Sequence, residues 1–263
     1  MLSCGKKFFP PSKLWLSYVK RRSFMSTSKA IAIVSGGLDS VTLAYLLHAE
    51  GYQLHLLSFD YGQRHKKELG FAELCAKRLD ATFDVIDLSS ITRFLKGSAL
   101  TDAIPVPEGH YAAQNMAITV VPNRNAIMLS IAFAVAVAEQ ARVVAAGVHS
   151  GDHFIYPDCR PNFIEAFNAM QKFAVEGFGD PDLRLQAPFM HLGKHQIVRL
   201  GASLSVPYAD TWSCYKGDEK HCGKCGTCVE RKHAFRDASV SDPTVYEDPA
   251  YGYDLEIGTS INS

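Results

Sequence analysis

The sequence predicts an α/β protein in which helices cover both faces of a parallel sheet, giving a three-layer sandwich. Short apolar runs typical of strands alternate with segments of helix length from residue 30 onward. The chain has 263 residues and 47% hydrophobic side chains, enough for one sizeable core. Glycines, hydroxyls and acids follow several of the apolar runs, and ligands gather at the carboxyl ends of parallel strands.

The order of the elements supports this class. Strands are predicted for 30–34, 54–59, 82–88 and 142–148. Helices are predicted for 41–49, 66–79, 125–140 and 163–176, with a short helix after the third strand and another after Gly193. Residues 97–124 are rich in proline, glycine and small side chains and predict a long loop. Strands separated by helices imply βαβ units and parallel pairing.

The formal net charge is zero, but the charges are unevenly spread. Residues 1–24 contain six lysines and arginines and no acid, which leaves 21 basic against 27 acidic side chains in the rest of the chain. A mildly acidic body argues against a broad electrostatic surface for nucleic acid, so we expect no direct nucleic-acid partner. The apolar run 127–141 is shorter than a membrane span, so we expect no membrane association.

The composition divides the chain at two points. Residues 1–24 form a basic leader without a long apolar stretch, so a secretory signal is not expected. We expect this leader to be disordered and interpret it as a translation start placed upstream of Met25; an organelle-targeting peptide is the alternative. Residues 25–210 are expected to form the α/β domain, and residues 211–263 a cysteine-rich segment and tail.

The turn after the first strand, 35–40, has the sequence SGGLDS and predicts an anion site. A strand–glycine–glycine–helix junction directs backbone N–H groups from a helix N-terminus, where the helix dipole favours negative charge. The two glycines allow close approach, and the two serines add hydroxyl donors. Asp39 would not hold phosphate directly, but a carboxylate beside phosphates is a ligand for Mg²⁺. The expected anion is the pyrophosphate end of ATP.

An ordinary strand–helix turn, with glycine for conformational reasons, is the alternative for this segment. Neither G-x-x-x-x-G-K-[ST] nor G-x-G-x-x-G occurs in the chain, so Walker-type ATPases and dinucleotide-binding domains are not indicated. The serines and the acid favour the anion site over the ordinary turn.

Four of the seven cysteines are clustered with the spacing C-x7-C-x2-C-x2-C: Cys214, Cys222, Cys225 and Cys228. Four thiolates this close can surround one tetrahedral Zn²⁺, and such a closed site is structural. The alternatives are an iron–sulfur cluster, which the missing x3-C-P continuation disfavours, and redox-active or sulfur-carrying thiols. This distribution also indicates a reducing compartment, so we expect a cytoplasmic protein.

Several motifs occur in an order that resembles one family. The SGGLDS turn resembles the SGGxDS motif of the PP-loop ATP pyrophosphatases, which cleave ATP between the α and β phosphates. Together with FDYGQRHKKE (59–68), VPNRN (121–125), YPDCRPNF (156–163) and the four cysteines, it resembles the 7-cyano-7-deazaguanine synthase (QueC) family. The resemblance runs from about residue 30 to residue 246. It implies an adenine-nucleotide alpha-hydrolase-like fold with a C-terminal zinc-bound segment.

The resemblance implies an ATP-dependent nitrile-forming ligase in the synthesis of the queuosine and archaeosine precursor. Enzymes of this family convert 7-carboxy-7-deazaguanine, ammonia and ATP into the nitrile. Adenylation makes one carboxylate oxygen a leaving group, ammonia then gives the amide, and a second adenylation allows dehydration. The expected partners are therefore these small molecules, with Mg²⁺, one structural Zn²⁺ and a second copy of the chain in a homodimer.

The resemblance also suggests which residues bind the nucleotide. Asp39 would hold Mg²⁺, and Arg124 and Lys194 would neutralise phosphate. A surface cation is the alternative for Arg124, and a solvated helix residue for Lys194. The expected nucleotide contacts are Val34, Ser35, Gly36, Gly37, Leu38, Asp39, Ser40, Val41, Thr42, Leu43, Ala44, Tyr61 and Gln63.

Two acids are expected to contact the deazaguanine. The Asp158 carboxylate would accept two hydrogen bonds from the guanine-like edge, although a loop cap is the alternative. Asp152, after the fourth strand, is a further candidate. Cys159 is expected to pack beside the site rather than act as a nucleophile, and His149 and His153 are interpreted as incidental.

Two other classes of function remain as alternatives. A tRNA sulfurtransferase on the same ATPase scaffold would need a catalytic cysteine near the adenylate and a basic RNA surface. A non-enzymatic zinc-ribbon module for nucleic acid would leave the 35–40 turn unexplained, and the cysteines lack flanking aromatic–basic alternation. The acidic body and the compact four-cysteine site weigh against both.

Overall fold

The computed structural model describes residues 28–63, 66–95, 97–102, 104–109, 114–216 and 219–252. The predicted leader 1–24, Met25, residues 64 and 65 of the FDYGQRHKKE motif and the end of the tail, 253–263, lie outside the described residues. The described ranges include all of the predicted strands and long helices.

Five parallel strands form one sheet in the order β3-β2-β1-β4-β5. The strands are β1 (Lys29–Ile33), β2 (Gln53–Asp60), β3 (Thr82–Asp87), β4 (Val143–Ala145) and β5 (Arg184–Gln186). The α-helices of the described residues are α1 (Leu38–Ala49), α2 (Lys67–Arg78), α3 (Arg124–Ala138), α4 (Pro161–Ala174), α5 (Lys194–Ser203) and α6 (Gly226–Ala238). Short 3-10 helices cover Ser89–Phe94, Gln114–Thr119, Ser150–Phe154, Pro157–Cys159 and Tyr208–Asp210. The predicted α/β class and parallel sheet are confirmed.

The strand order places a crevice beside β1. Ala32 of β1 pairs with Leu56 of β2 on one side and with Ala145 of β4 on the other. The chain runs outward from β1 through β2 to β3 and then returns to the opposite side of β1. The connections after β1 and β4 therefore diverge, and in open parallel sheets ligands bind at such a point, outside the carboxyl ends of the strands.

Apolar side chains form a layer on each face of the sheet. Ala30 and Ala32 face one layer, which includes side chains of α1, α2, α5 and α6. Ile31 faces the other layer, with Phe133 of α3 and Phe167 of α4. Because both faces are covered, β1 is apolar from Ala30 to Ile33 rather than alternating. The predicted three layers are confirmed.

Two elements, β5 and α6, are absent from the sequence prediction. β5 has only three residues, too few for a period of two to be recognised. α6 contains Arg231 and Lys232, each 1% exposed, although consecutive charges normally indicate a solvated face. Arg231 donates to Thr211 Oγ1 at 2.8 Å and Lys232 donates to the Gly223 carbonyl at 3.0 Å, so tertiary partners compensate their burial.

One segment of the described residues, Met116–Ala138, is long and apolar enough by length and composition to cross a membrane. This segment is longer than the run recognised in the sequence, because the residues before α3 extend it. Its helix α3 packs against the sheet, where Leu129 and Phe133 belong to the core. A core helix passes the same test of length and composition, so this finding is weak evidence for a membrane span.

Candidate active site and metal centre

A cavity of about 280 Å³ opens at the carboxyl ends of the central strands. Its walls are the 35–40 turn after β1, residues that follow β2, and 146–149 after β4. The N-termini of α3 and α5 and residues 212–215 complete it. Its size is close to the lower end of the range for small-molecule sites, and it occupies the crevice that the strand order creates.

The structure brings most of the predicted site residues to this cavity. Val34, Val41, Leu43 and Ala44 are instead buried in the core layer under α1. Val34 directly follows β1, and the helix that begins at Leu38 turns the other three side chains toward the sheet. Thr42 is also fully buried and donates to the Leu38 carbonyl, so the structure places none of these side chains in the cavity. The predicted residues that line it are Ser35, Gly37, Leu38, Asp39, Ser40, Tyr61, Gln63, Arg124, Asp152, Asp158 and Lys194.

The 35–40 turn is held by its own hydroxyl groups. Ser35 N donates to Ser40 Oγ at 3.1 Å, and Ser40 Oγ donates to the Gly37 carbonyl at 3.2 Å. α1 begins at Leu38, and Gly37 provides it with no side-chain cap. The first N–H groups of α1 therefore have no intrahelical acceptor, and they belong to residues that line the cavity. Such a helix start can bind an anion.

Gly36 joins this turn to α2. Its φ is +86°, a conformation that glycine adopts without a steric penalty. A Cβ at Gly36 would lie 2.2 Å from the Glu68 carbonyl oxygen and 2.8 Å from Ala72 N. The turn therefore needs glycine at this position both for its backbone conformation and for its contact with α2.

We expect Gly36→Ala to lower the free energy of unfolding by more than the roughly 1–2 kcal/mol that a left-handed conformation costs an alanine, because α2 must also shift. Gly51→Ala is the matched control, since Gly51 has φ of +85° but no heavy atom within 4 Å of the added Cβ. Urea unfolding of both variants measures the difference. Equal destabilisation would contradict the close contact with α2.

Asp39, in the first turn of α1, has one paired and one unpaired carboxylate oxygen. Oδ2 lies 3.2 Å from Lys194 Nζ and 3.8 Å from His149 Nε2. Oδ1 is buried and has no hydrogen-bond partner among the described residues. A buried polar atom of this kind usually has a ligand or water as its partner, and a carboxylate oxygen beside an anion site is a suitable ligand for Mg²⁺.

Lys194, the first residue of α5, is held between two acids. Its Nζ contacts Asp39 Oδ2 and Glu230 Oε2, and its side chain is only 14% exposed. Burial alone would lower the pKa of Lys194, but Asp39 and Glu230 together raise it above its usual value. The ammonium group is therefore charged at neutral pH and fixed beside the 35–40 turn, which contradicts the solvated-residue alternative.

His149 was interpreted as incidental, but the structure places it in the wall of the cavity, where it is only 2% exposed. Its Nδ1 accepts a hydrogen bond from Gly151 N at 3.1 Å, so the neutral ring carries its proton on Nε2. Nε2 lies 3.8 Å from Asp39 Oδ2 and 3.7 Å from Asp152 Oδ1. Asp152 in turn accepts from His149 N at 3.1 Å, so these two residues fix one another.

Arg124, the first residue of α3, faces a group of tyrosines. Its Nη1 donates to Tyr61 Oη at 3.3 Å, and its guanidinium lies 5.5 Å from the centre of that ring. Burial would lower the pKa of Arg124, but Tyr61, Tyr156 and Tyr215 raise it. Arg124 is therefore a partly buried cation that can still pair with an anionic ligand.

The side chain of Gln63 is used within its own loop. Its Oε1 accepts from Tyr61 N at 2.9 Å, and its Nε2 donates to the Phe59 carbonyl at 3.0 Å. Gln63 is 6% exposed, so its amide fixes the chain after β2. Burial raises the pKa of Tyr61, which therefore remains a protonated phenol at the cavity wall.

The Asp158 carboxylate contacts the start of α3. Its Oδ2 accepts from Asn125 N at 3.0 Å, and its Oδ1 accepts from Asn125 Nδ2 at 3.3 Å. This arrangement agrees with the capping alternative, although Asp158 also lines the cavity, so its contact with substrate stays a prediction. Cys159 also accepts from Asn125 Nδ2, and burial raises the pKa of its thiol, which is a poor nucleophile in that state.

Glu68 is a cavity residue to which the sequence analysis assigned no role. It lies in the first turn of α2, at the end of the FDYGQRHKKE motif. Burial raises the pKa of its carboxyl group to about 7, while Arg124 and a hydrogen bond from Gln63 partly oppose this shift. The sequence predictions also lack Tyr156 and Tyr215 of the cavity wall, and Glu230 of α6, which pairs with Lys194. Only the tertiary fold brings these residues to their positions.

The four predicted cysteines form one compact group. Their sulfur atoms lie within 4.8 Å of one another, and all four residues are buried. Sγ–Sγ distances are 4.0 Å between Cys222 and Cys228 and 4.0 Å between Cys225 and Cys214. A tetrahedral ion with bonds of ~2.3 Å would set its sulfur ligands about 3.8 Å apart. The donor set and spacing therefore fit a single tetrahedral metal ion.

Backbone N–H groups also point at these sulfur atoms. Cys214 Sγ accepts from Cys222 N at 3.4 Å, and Cys222 Sγ accepts from Cys225 N at 3.3 Å. Such bonds stabilise metal-bound thiolates. Gly223, between two of the ligands, has φ of +80°, and a Cβ there would lie 2.1 Å from the Asp248 carbonyl oxygen. The chain therefore makes a tight turn after Cys222 that requires glycine.

The four-cysteine group adjoins the cavity. Trp212 N donates to the Gly36 carbonyl at 2.9 Å, and the Trp212 ring stacks on Phe71 of α2 at 5.8 Å. Cys214 and Tyr215 line the cavity itself. α6, which carries Cys228, packs Phe235 into the core under α1. A change at the four-cysteine group should therefore reach the cavity through the residues between Trp212 and Tyr215.

Comparison with known proteins gives a family match over most of the chain. The family model described as "Queuosine biosynthesis protein QueC" matches residues 29–239. A protein of Sinorhizobium fredii named 7-cyano-7-deazaguanine synthase is 60% identical over 223 residues, which are 85% of this chain and 94% of the relative. A protein of Brucella ovis with the same name is 60% identical over 220 residues, 84% of this chain and 94% of the relative.

Solved structures with similar folds are more distant. An NMN synthetase from Francisella tularensis has a TM-score of 0.48 at 15% identity and covers 89% of this chain and 88% of its own. An NH3-dependent NAD synthetase from Campylobacter jejuni has a TM-score of 0.45 at 16% identity and covers 75% of this chain and 73% of its own.

Proposed function

This chain belongs to the QueC family, and we propose that it converts 7-carboxy-7-deazaguanine and ammonia into 7-cyano-7-deazaguanine with ATP as the activating reagent. The family match, with its 60% identity to curated synthases, supports the overall reaction. The roles of individual site residues are proposals that rest on the geometry of the cavity.

The 35–40 turn would hold the pyrophosphate end of ATP. The N–H groups at the start of α1 supply donors, and Lys194 and Arg124 supply fixed positive charge on two sides of the cavity. Asp39 Oδ1, which has no partner among the described residues, would bind Mg²⁺. The ion would neutralise charge on the departing pyrophosphate.

Two rounds of activation account for the loss of both carboxylate oxygens. In the first, a carboxylate oxygen attacks the α-phosphorus and pyrophosphate leaves; ammonia then attacks the carbon, and AMP leaves with that oxygen. In the second, the amide oxygen is adenylated and AMP leaves with it, while the nitrogen loses two protons. One nitrile thus requires two ATP and yields two AMP and two pyrophosphate ions.

The single observation that carries this proposal is the arrangement of Asp39 and Lys194 at the SGGLDS turn. An anion site, a fixed cation 3.2 Å from the Asp39 carboxylate, and an unpaired oxygen on that carboxylate occur together at one edge of the cavity. This set suits release of pyrophosphate better than it suits sulfur transfer. The cavity thiol Cys159 has a raised pKa, and the other cavity cysteine, Cys214, belongs to the four-sulfur group.

We expect incubation with 7-carboxy-7-deazaguanine, ammonium, ATP and Mg²⁺ to yield the nitrile and AMP in a ratio of one to two. Substrate labelled with ¹⁸O in the carboxylate should transfer one label to each AMP. Mass spectrometry of both products measures this result. ADP as the product, or label in inorganic phosphate, would contradict the reaction.

Three further features are part of the proposal. Zn²⁺ is the metal we propose for the four cysteines, because four sulfur ligands in a closed tetrahedral site suit it and leave no position for substrate. We propose a homodimer, from the family resemblance, which sedimentation would test. The cytoplasm is the proposed location, because clustered thiols without a disulfide suit a reducing compartment.

A further inference from the structure

We propose that the Glu68 carboxylate is the base that accepts a proton from the substrate nitrogen after each adenylation. This inference rests on the proposed function, since it assigns a catalytic residue to that reaction. Glu68 lines the same cavity as the 35–40 turn and Arg124, and its backbone lies directly against Gly36 of that turn. This backbone contact places the first turn of α2, which carries Glu68, beside the proposed nucleotide site.

The other acids of the cavity are already engaged. Asp39 Oδ2 pairs with Lys194, and Asp152 Oδ2 accepts from His149 N. Asp158 accepts from Asn125 through both of its oxygens. Glu68 instead has the neutral amide of Gln63 as its hydrogen-bond donor, and Gln63 is itself fixed by backbone groups.

His149 does not compete for this role. Its Nδ1 accepts from Gly151 N at 3.1 Å, so the ring nitrogen nearest to Asp39 already carries the proton in the neutral ring. Arg124 and Lys194 are cations, and the Tyr61 phenol stays protonated because burial raises its pKa. Among the described cavity residues, Glu68 is therefore the group best suited to accept a proton at neutral pH.

The surroundings of Glu68 determine the pKa of its carboxyl group. Arg124 and Tyr61 face it from α3 and from the chain after β2. On its own side, Lys66 pairs with Asp60, and Lys67 contacts the Glu219 carbonyl and the Trp212 ring. Burial raises the pKa of Glu68 to about 7, and a general base works best when its pKa is close to the working pH.

The proton balance identifies the steps. When ammonia attacks the acyl adenylate, the new C–N bond leaves a positively charged nitrogen, and Glu68 accepts one proton as AMP departs with the C–O electron pair. When the amide oxygen is adenylated, the nitrogen must lose two protons before the triple bond is complete. Glu68 accepts one of them as the C–O bond to AMP breaks, and solvent takes the other. No oxidant or reductant is needed.

Glu68→Gln tests the assignment, because the amide keeps the shape of the side chain but cannot accept the proton. The substitution should affect adenylation and nitrile formation to different extents. Exchange of labelled pyrophosphate into ATP, with 7-carboxy-7-deazaguanine and no ammonium, reports adenylation alone and should stay within about threefold of the wild type. Conversion of the 7-carboxamide to the nitrile should fall by about 10²-fold or more. Supplying the amide removes the titration of ammonium from the measurement.

The pH profile provides a second readout. The wild-type turnover of the amide should rise with pH through one ionisation near neutrality and then level off, and Glu68→Gln should lose that rise. Glu68→Asp should retain it at a lower rate. Glu73→Gln is the matched control on the same helix, since Glu73 is exposed and pairs with Lys77; both of its activities should equal those of the wild type.

The result to compare is the fold loss of pyrophosphate exchange with the fold loss of nitrile formation in Glu68→Gln. If these two losses differ by less than about tenfold, or if the pH profile is unchanged, Glu68 is not the base and serves only to position the site. Failure of the proposed function would look different. In that case the wild-type protein itself would form neither nitrile nor exchanged ATP.

Discussion

Asp39→Asn should reduce nitrile formation by about 10²–10³-fold, the cost expected when one group that stabilises a developing charge is removed. The substitution keeps the shape of the side chain but removes the charge that pairs with Lys194 and faces His149. It also replaces one carboxylate oxygen with an amide nitrogen, which is not a ligand for Mg²⁺. Steady-state kinetics at several Mg²⁺ concentrations measures the effect.

The loss should be confined to the reaction. Asp39 is remote from the four cysteines in the sequence and is not among their ligands, so the metal content of the variant should equal that of the wild type. Asp182→Asn is the matched control, because Asp182 is exposed at the opposite end of the sheet, ahead of β5. Wild-type turnover of Asp39→Asn would contradict the proposed role of Asp39 in binding Mg²⁺.

Cys225→Ser should lose the bound metal and much of the stability together. Cys225 is fully buried, and its Sγ lies 4.0 Å from Cys214 Sγ. A hydroxyl is a poor ligand for a soft four-sulfur site, and binding of a structural metal is coupled to folding. We expect a loss of at least about 3–5 kcal/mol in the free energy of unfolding, which corresponds to a Tm lower by roughly 10 °C or more.

Activity should fall with the metal, because Cys214 and Tyr215 line the cavity and Trp212 contacts Gly36 of the turn. Cys75→Ser is the control, since Cys75 is a buried thiol of α2 outside the metal group. It should keep the metal and lose less stability. Elemental analysis and thermal unfolding measure both variants, and a Cys225 variant with a full complement of metal would contradict the role of this residue as a ligand.

The central part of the fold could be predicted because its physical causes are local. β1 is apolar from Ala30 to Ile33 and two glycines follow it closely, so the strand and the start of α1 can be recognised from neighbouring residues. The spacing of the four cysteines likewise predicts a compact metal site. In both cases the deciding residues lie close together in the sequence.

The elements that were missed depend on tertiary partners. α6 is rich in charge, yet Arg231 reaches Thr211 and Lys232 reaches Gly223, so its burial follows from hydrogen bonds to residues far along the chain. The length of β5, three residues, gives no period to recognise. Its pairing with β4 exists only in the folded sheet.

The same distinction applies to the site. Asp39 and Lys194 were expected to act on phosphate, but their mutual contact and the contact with Glu230 could not be inferred across 155 and 36 positions of sequence. Val41, Leu43 and Ala44 follow the motif but turn into the core, because a helix presents only some of its residues to one side. Glu68 lies in a recognised motif, but its position in the cavity wall could not be inferred from the sequence.

The account depends most on the 35–40 turn as the site of the departing pyrophosphate. A crystal structure with Mg²⁺ and α,β-methylene-ATP, which cannot be cleaved between its first two phosphates, tests this directly. We expect the β- and γ-phosphates at the N–H groups of the turn, Mg²⁺ on Asp39, and the α-phosphorus facing the interior of the cavity. A triphosphate bound elsewhere, with the turn empty, would contradict the account.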